Sequence, residues 1–588
     1  MKSGHLDENN IEKSLPPSLK KDIFTSRKHG MDYFTRDGVI LRTGYKNMRD
    51  WYLLPIREIM DNGVDFLWKH YKGTSNTSIS VNVTMDDELF RITVRNSNDK
   101  NIPVFPDLGP IFDYDMRYGS KQDVHIISRG MLGDAMKQIL SLGYVLIHSS
   151  DDGTSFTDKQ WEHPLIIRHN KKEWRINLQV DKAQQTAHIS FEQSSDELTH
   201  TDTEIELVLP VIDEVRNNLN GKYVEQFLRK YSIFTTDISF KFHMTEDITT
   251  EAIDYDTYIE MARSTMPEKN KLNIDILALH PIAMEKEWNN SNSIHSYTPD
   301  EFIRRITNVH DKDLTSVYDV MLTYSREGSN VKKTAENLTS VAELLSKPNK
   351  DKIIEALYHK LKNVRGPPAE LSLPYTTNSK KRMGALVARI AKLYEIDKEK
   401  EPSYRLIREF YRGDLVQYPY AFEILAIPFK NPIGPPVKST EVIAAVNYSV
   451  SPRENTFEGD YFWYDKNEYR NRANNIHELL EKHGFHTYSA PTSKLPSIIV
   501  ANLITPRRDP QGFDKSSIDT QPFTQTITTA VNKMASGIQT YRAAGYRFQK
   551  ADDYSTGIQH DTNTQVSARE LLKQFLIKER GLPRGAGR

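Results

Sequence analysis

Cysteine is missing from this chain, which rules out disulfides, thiolate catalysis and Cys-ligated zinc. Long apolar runs are missing as well. None approaches the ~18–20 residues needed to cross a bilayer, so no membrane association is expected. The opening stretch MKSGHLDENN holds no apolar segment of the kind a secretory signal needs. Charge of one sign is scarce too: 78 Lys and Arg nearly balance 79 Asp and Glu, for a formal net charge of −1. The chain as a whole therefore has no electrostatic footprint for nucleic acid, and any DNA contact must come from local patches or a partner. The 18 histidines form no HExxH or related ligand spacing, and no Gly-x-Ser-x-Gly elbow occurs. The commonest zinc and serine-hydrolase motifs are thereby excluded.

What is present is a chain of 588 residues, long enough for about three or four domains. Residues 1–30 are polar and carry Pro16 and Pro17, as befits an arm. From 31 to 245, strand patterns at 78–84, 92–94 and 204–209 alternate with helical ones at 51–70, 130–142 and 221–231. That mixture predicts an α+β or α/β layer domain. Between 246 and 375 helical periodicity takes over (Phe302, Ile303, Ile306; Ile353, Ile354, Leu357, Leu361), closed by Gly366-Pro367-Pro368. A small helical domain with a hinge after it is expected. Residues 376–545 return to strands at 422–428, 441–446 and 498–503, with helices expected near 467–482 and 523–541. In the last helix Phe523, Ile527, Val531, Met534, Ile538 and Tyr541 form one apolar stripe. The tail, 546–588, is polar until Ser567-Ala568-Arg569-Glu570, which has the form of a capping box before a short helix.

Two stretches carry chemistry. In Arg57-Glu58-Ile59-Met60-Asp61-Asn62-Gly63-Val64-Asp65, helical spacing puts Glu58, Asp61, Asn62 and Asp65 on one face and the apolar residues opposite. An amide oxygen there can ligate Mg²⁺, and a neighbouring carboxylate can deprotonate an attacking water. The same face also fits the solvated side of an ordinary amphipathic helix. The second stretch is Ser128-Arg129-Gly130-Met131-Leu132-Gly133-Asp134-Ala135-Met136-Lys137. Its two glycines lead into a helix, where backbone N–H groups and the helix dipole can bind phosphate oxygens. A loop-to-helix turn without a ligand has the same pattern. The Gly-Lys-Ser/Thr ending of a Walker A loop is absent.

In this order the two stretches resemble the first box and the phosphate lid of the ATPase superfamily shared by gyrase, mismatch-repair proteins and histidine kinases (GHKL). Within it, the likeness is to the B subunit of topoisomerase VI. Tyr118-Gly119-Ser120-Lys121 precedes the lid, as a Gly-Ser-Lys does in that family. The stretch from Gly221 to Tyr231 sits where the family closes its ATPase domain. Gly366-Pro367-Pro368-Ala369 and Leu371-Ser372-Leu373-Pro374 resemble the junction to its transducer domain. Thr505-Pro506 and Gly512-Phe513-Asp514-Lys515-Ser516 resemble the transducer loop with the switch lysine. The likeness covers about residues 30–545.

The resemblance implies a Bergerat-type ATPase domain of helices on a mixed sheet (31–245), a helix-two-turn-helix-like insert (246–375) and an α/β transducer (376–545). It implies ATP and Mg²⁺, with Glu58 as general base and Asn62 as the metal ligand. Asp61, Asp65, Asn96, Ser120, Lys121, Arg129, Gly130, Met131, Leu132, Gly133 and Asp134 would surround the nucleotide, and Lys515 would reach the γ-phosphate. Lys438 is a rival for that last role. The adenine box departs from the family: Val94-Arg95-Asn96-Ser97-Asn98-Asp99-Lys100-Asn101-Ile102-Pro103 keeps the closing Ile-Pro but lacks both glycines and the aligned aspartate, leaving Asn96 as an uncharged acceptor. Two copies would associate through their ATPase domains and act on double-stranded DNA with a separate, DNA-cleaving A-like subunit, as a heterotetramer. The striped helix at 523–541 and the tail are where that partner is placed. Arg304-Arg305, Lys380-Lys381-Arg382, Arg507-Arg508 and the tail are candidate phosphate contacts. The location implied is cytoplasmic and nucleoid-associated, or nuclear in a eukaryote. Two alternatives stand beside this reading: an ATPase specialised for another DNA transaction, in defence or programmed break formation, and a non-hydrolysing scaffold.

Overall fold

Residues 78–86 alternate apolar and polar side chains, and in the computed structural model they form a strand with one face turned inward. That model describes residues 29–71, 77–97, 108–114, 127, 129, 135–148, 161–181, 183–216, 219–247, 270–280, 293–307, 314–325, 339–364, 373, 379–394, 396–398, 401–432, 440–450, 457–464, 470–485, 487, 496–507 and 520–538. The fold is α+β, with two larger sheets, a two-stranded ribbon and a helical unit.

Eight strands make the first sheet: β1 Ser78–Asp86, β2 Leu89–Asn96, β3 Leu165–His169, β4 Lys172–Asp181, β5 Thr186–Gln193, β6 Thr203–Pro210, β7 Ser239–Asp247 and β8 Asn270–Ile276. Their order is β5-β4-β3-β6-β2-β1-β7-β8. All pairings are antiparallel except β1 with β7, so the sheet is mixed. Ile79, Val81 and Val83 of β1 and Phe90, Ile92 and Val94 of β2 are buried under three helices. These are α1 Leu53–His70, α2 Ala135–His148 and α3 Gly221–Ile233. In α1, Pro55 falls in the first turn, where a missing N–H costs nothing, and Lys69 and His70 in the last turn suit the helix dipole. The other sheet face carries Asn82 and Arg91 in the open, and Arg168 paired with Glu173, Glu204 and Glu206. The sheet reaches past the boundary read at 245: β7 ends at Asp247, and β8 lies inside the range assigned to the insert.

Helices α4 Pro299–Thr307, α5 Val317–Ser325, α6 Val341–Leu345 and α7 Lys350–Val364 follow. They enclose a core of their own, in which Tyr297, Phe302, Tyr324 and Tyr358 meet edge-on or tilted. Helix α8, Ser379–Tyr394, then leads into the second sheet. Its Arg389 donates to the carbonyl of Ser232 near the end of α3 (2.9 Å) and to that of Leu277 (3.0 Å), a cation placed at a helix C-terminus.

The second sheet holds β9 Ile396–Lys398, β10 Ser403–Arg412, β11 Gln417–Pro432, β12 Glu441–Val446, β13 Ser449–Val450 and β16 Ser497–Ile504, in the order β10-β11-β16-β12-β13 with β9 on β11. The ribbon is β14 Glu458–Tyr464 with β15 Arg470–Asn475. Every residue of β16 is buried. Its Ile498 and Val500 join the core shared with the first sheet and α8, while Ile499, Ala501 and Leu503 face a second core. That second core is completed by α9 Ile476–Glu481 and α10 Thr524–Ser536.

Two expectations change here. The helix near 467–482 is shorter, because β15 occupies 470–475 and the Asn475 side chain caps α9 by accepting from the Glu478 N–H. The stripe of the last helix is core: Phe523, Ile527, Val531, Met534 and Ile538 are all buried against the second sheet, so that face is not available to a partner. Tyr541 and the tail from 546 lie outside the described residues, as do residues 1–28 of the arm. Among the described residues no helix is long and apolar enough to cross a membrane.

Candidate nucleotide site

Helix α1 lies against β1 and β2 with its polar face inward, not toward solvent. Glu58, Asp61 and Asp65 are 4%, 1% and 3% exposed, and of the four polar residues on that face Asn62 alone is part-exposed. Gly63 faces the end of the sheet: a Cβ there would make ordinary contacts, 3.4 Å from Ile79 Cδ1 and 3.9 Å from Asn96 Oδ1. Asn96 ends β2, level with Ile79, and is buried beside Gly63. The structure thus sets Asn96 beside the middle of the helix that carries Glu58 and Asn62 one turn apart.

The two aspartates are engaged by the protein itself. Asp65 accepts the Arg129 backbone N–H on both oxygens at 3.1 Å, which fixes the residue just before Gly130. Asp61 Oδ1 accepts from the Tyr231 hydroxyl (2.7 Å) and stands 3.5 Å from Arg129 Nη1. Its Oδ2 accepts from Ser449 Oγ at 2.7 Å, with Arg57 Nε at 3.7 Å. Arg129 also donates to Tyr231. Burial raises the Asp61 carboxyl above its usual value, against the pull of Arg129 and Arg57. Burial likewise pushes the Tyr231 phenol well up, so it stays protonated and can donate. Burial opposes the charge on Arg57, yet Tyr45, Glu58 and Asp61 around it hold it above the ordinary arginine value. Tyr231, Arg57 and Ser449 were not singled out for this network in the sequence. Arg57 stands at i,i+4 spacing to Asp61 on α1, but nothing local marks Tyr231 and Ser449, which come from α3 and the second sheet.

Ser120, Lys121, Gly130, Met131, Leu132, Gly133, Asp134, Lys515 and Lys438 lie outside the described residues. Arg508 lies outside them too, and each of the three internal basic stretches has one member engaged within the protein. Arg305 is buried with a guanidinium nitrogen 3.3 Å from the Tyr324 hydroxyl. Arg382 is buried in a two-pronged pair with Glu423, and Arg507 in another with Glu301. Arg304, Lys380 and Lys381 remain exposed. A cavity of about 360 Å³ lies elsewhere, at the β5 edge, lined by Met31, Asp113, Tyr114, Ala187, Ile189 and Phe191 among others. It includes none of Glu58, Asn62 and Asn96.

Among solved structures, the chain is similar to a topoisomerase IV ATP-binding domain of Francisella tularensis in complex with a small-molecule inhibitor, at 12% identity over 83% of this chain and 90% of that one, with a TM-score of 0.27. No protein-family model matches the chain, and no curated protein does.

Proposed function

We propose that the chain binds ATP with Mg²⁺ and hydrolyses it, as the ATPase subunit of a machine resembling topoisomerase VI. The observation that carries this reading is the sorting of polar residues on α1. Asp61 and Asp65 fix Arg129, Tyr231 and Ser449, while Asn62, one helical turn from Glu58, is the part-exposed member of that face and Asn96 lies beside Gly63 of the same helix. In this reading the aspartates position the site and do not themselves touch nucleotide. Glu58 takes the proton of the attacking water, and its enclosed setting keeps bulk water from competing. The Asn96 side-chain oxygen accepts from the adenine amino group. Asp65 holds the entry to the glycine turn, so that the backbone at Gly130 and Gly133 can meet phosphate oxygens. Lys515 is assigned to the γ-phosphate.

Among the described residues, no group of three or more His, Asp or Glu could hold a metal unaided. In this reading the Asn62 side-chain oxygen would be the protein ligand of a Mg²⁺ completed by the nucleotide's phosphates and water. When bound there, the ion neutralises phosphate charge. We further assign to the complex two copies associating through their first domains, a separate DNA-cleaving subunit and double-stranded DNA as substrate. Titration of the purified chain with a fluorescent ATP analogue and Mg²⁺ tests the nucleotide reading. Asn62→Ala and Asn96→Leu should each weaken binding about tenfold or more. No binding by the unmodified chain at millimolar nucleotide overturns it.

A further inference from the structure

The turn between β12 and β13 is built from two residues in the left-handed region, Asn447 (φ 49°) and Tyr448 (φ 68°). Both positive angles belong to a tight hairpin loop, but here no glycine supplies them. A bulky Tyr in that conformation is held only when its surroundings over-determine it. Asn447 donates to and accepts from the Thr505 backbone at 2.9 and 2.8 Å. The Tyr448 N–H donates to Asn502 Oδ1 at 3.1 Å, and its ring stands edge-on to Trp68 of α1, 5.3 Å between centroids. The next residue, Ser449, accepts from Arg57 Nε at 3.3 Å and donates to Asp61 Oδ2 at 2.7 Å.

The turn is therefore clamped on two sides, by the second sheet and by the polar face of α1. The chain of contacts continues outward. Thr505 Oγ1 donates to the Arg507 carbonyl (2.7 Å), and Arg507 pairs with Glu301 of α4 at 2.8 and 2.9 Å. One continuous path thus joins the helix bearing Glu58 and Asn62 to the helical unit, through residues of the second sheet.

We infer that Ser449 is a positioning residue which the second sheet contributes to the candidate nucleotide site, and that the Asn447–Ser449 turn is the contact through which that sheet sets the geometry of the Glu58–Asn62 turn of α1. This rests on the nucleotide reading for its functional meaning, but the contact can be tested without nucleotide. Ser449 has one acceptor to satisfy, Asp61, and one donor to receive, Arg57. A hydroxyl is needed for both, and Thr can supply it.

Hydrogen–deuterium exchange of the nucleotide-free full chain reads the contact directly. Ser449→Ala should speed exchange across residues 57–65 about tenfold, and Ser449→Thr should stay close to the unmodified chain. In ATP turnover, Ser449→Ala should lower kcat about tenfold with KM within about twofold, and Thr should restore it. Unchanged exchange in Ser449→Ala overturns the inference, as does an equal rise in KM and fall in kcat that Thr fails to rescue. Faster exchange in a chain whose unmodified form turns over no ATP supports the contact and overturns the nucleotide reading instead.

Discussion

The two large sheets solve the same burial problem in opposite ways. The first hides one face under α1, α2 and α3 and leaves the other to solvent, so β1 alternates. The second lies between two cores, and β16 is buried along its whole length. Their charges differ accordingly. Arg168 meets Glu173, Glu204 and Glu206 on the open face, with its side chain 19% exposed. Arg382 and Glu423 pair inside the second domain at 4% and 3% exposure, where Tyr404 also donates to Glu423. A charge on an open face can fall back on water, whereas a buried one depends on every partner.

The sharpest way to break that contrast is Glu423→Gln, which leaves Arg382 buried without its counter-charge. It should cost about 3–5 kcal/mol, read as a lower denaturant midpoint by second-domain fluorescence. Burial alone would raise the Glu423 carboxyl, but Arg382, with Tyr404 and Asn502, holds it below its usual 4.5. Stability from this pair is therefore present above pH 4.5 and lost as pH falls through the lower folded value. Next in size, Ile499→Ala should cost about 2–4 kcal/mol, by lost burial and a residual cavity. Asn82→Ala on the open face of β1 should stay within about 0.5 kcal/mol in the same assay.

Acid gives a third comparison. Burial pushes His483 down from 6.5 to about 4, although it bonds Asn532 of α10. Since the unfolded chain binds the proton more readily, this contribution is complete above pH 6.5 and is lost as pH falls toward about 4. His483→Gln should remove up to about 2 kcal/mol of that acid sensitivity between pH 7 and pH 5, seen in melting curves at the two pH values. Arg168→Ala should cost about 1 kcal/mol or less, and less still in high salt.

Periodicity made much of this architecture legible. The alternation of β1, the apolar run of β16 and the amphipathic α1 all follow from side-chain spacing. What spacing cannot supply is the identity of the facing surface. The polar side of α1 reads equally as solvated or as a site, because Tyr231 and Ser449, which bind Asp61, lie 170 and 388 positions away in the chain. The stripe from Phe523 to Ile538 is visible as a helix face, yet only the second sheet shows that it packs inward. Arg382 and Arg507 read as surface charges for the same reason, since Glu423 and Glu301 are remote in sequence. Glu58 and Asn62 belong to one short pattern and Asn96 to another, and only the packing of α1 on the sheet shows that Asn96 lies beside Gly63 of the same helix.

ATP turnover by the purified chain with Mg²⁺, compared with its Glu58→Gln variant, probes the proposed chemistry most directly. A general base removed without loss of shape should cut the rate about a hundredfold or more while nucleotide affinity holds within a few-fold. A Glu58→Gln chain that hydrolyses ATP as fast as the original would contradict the assignment.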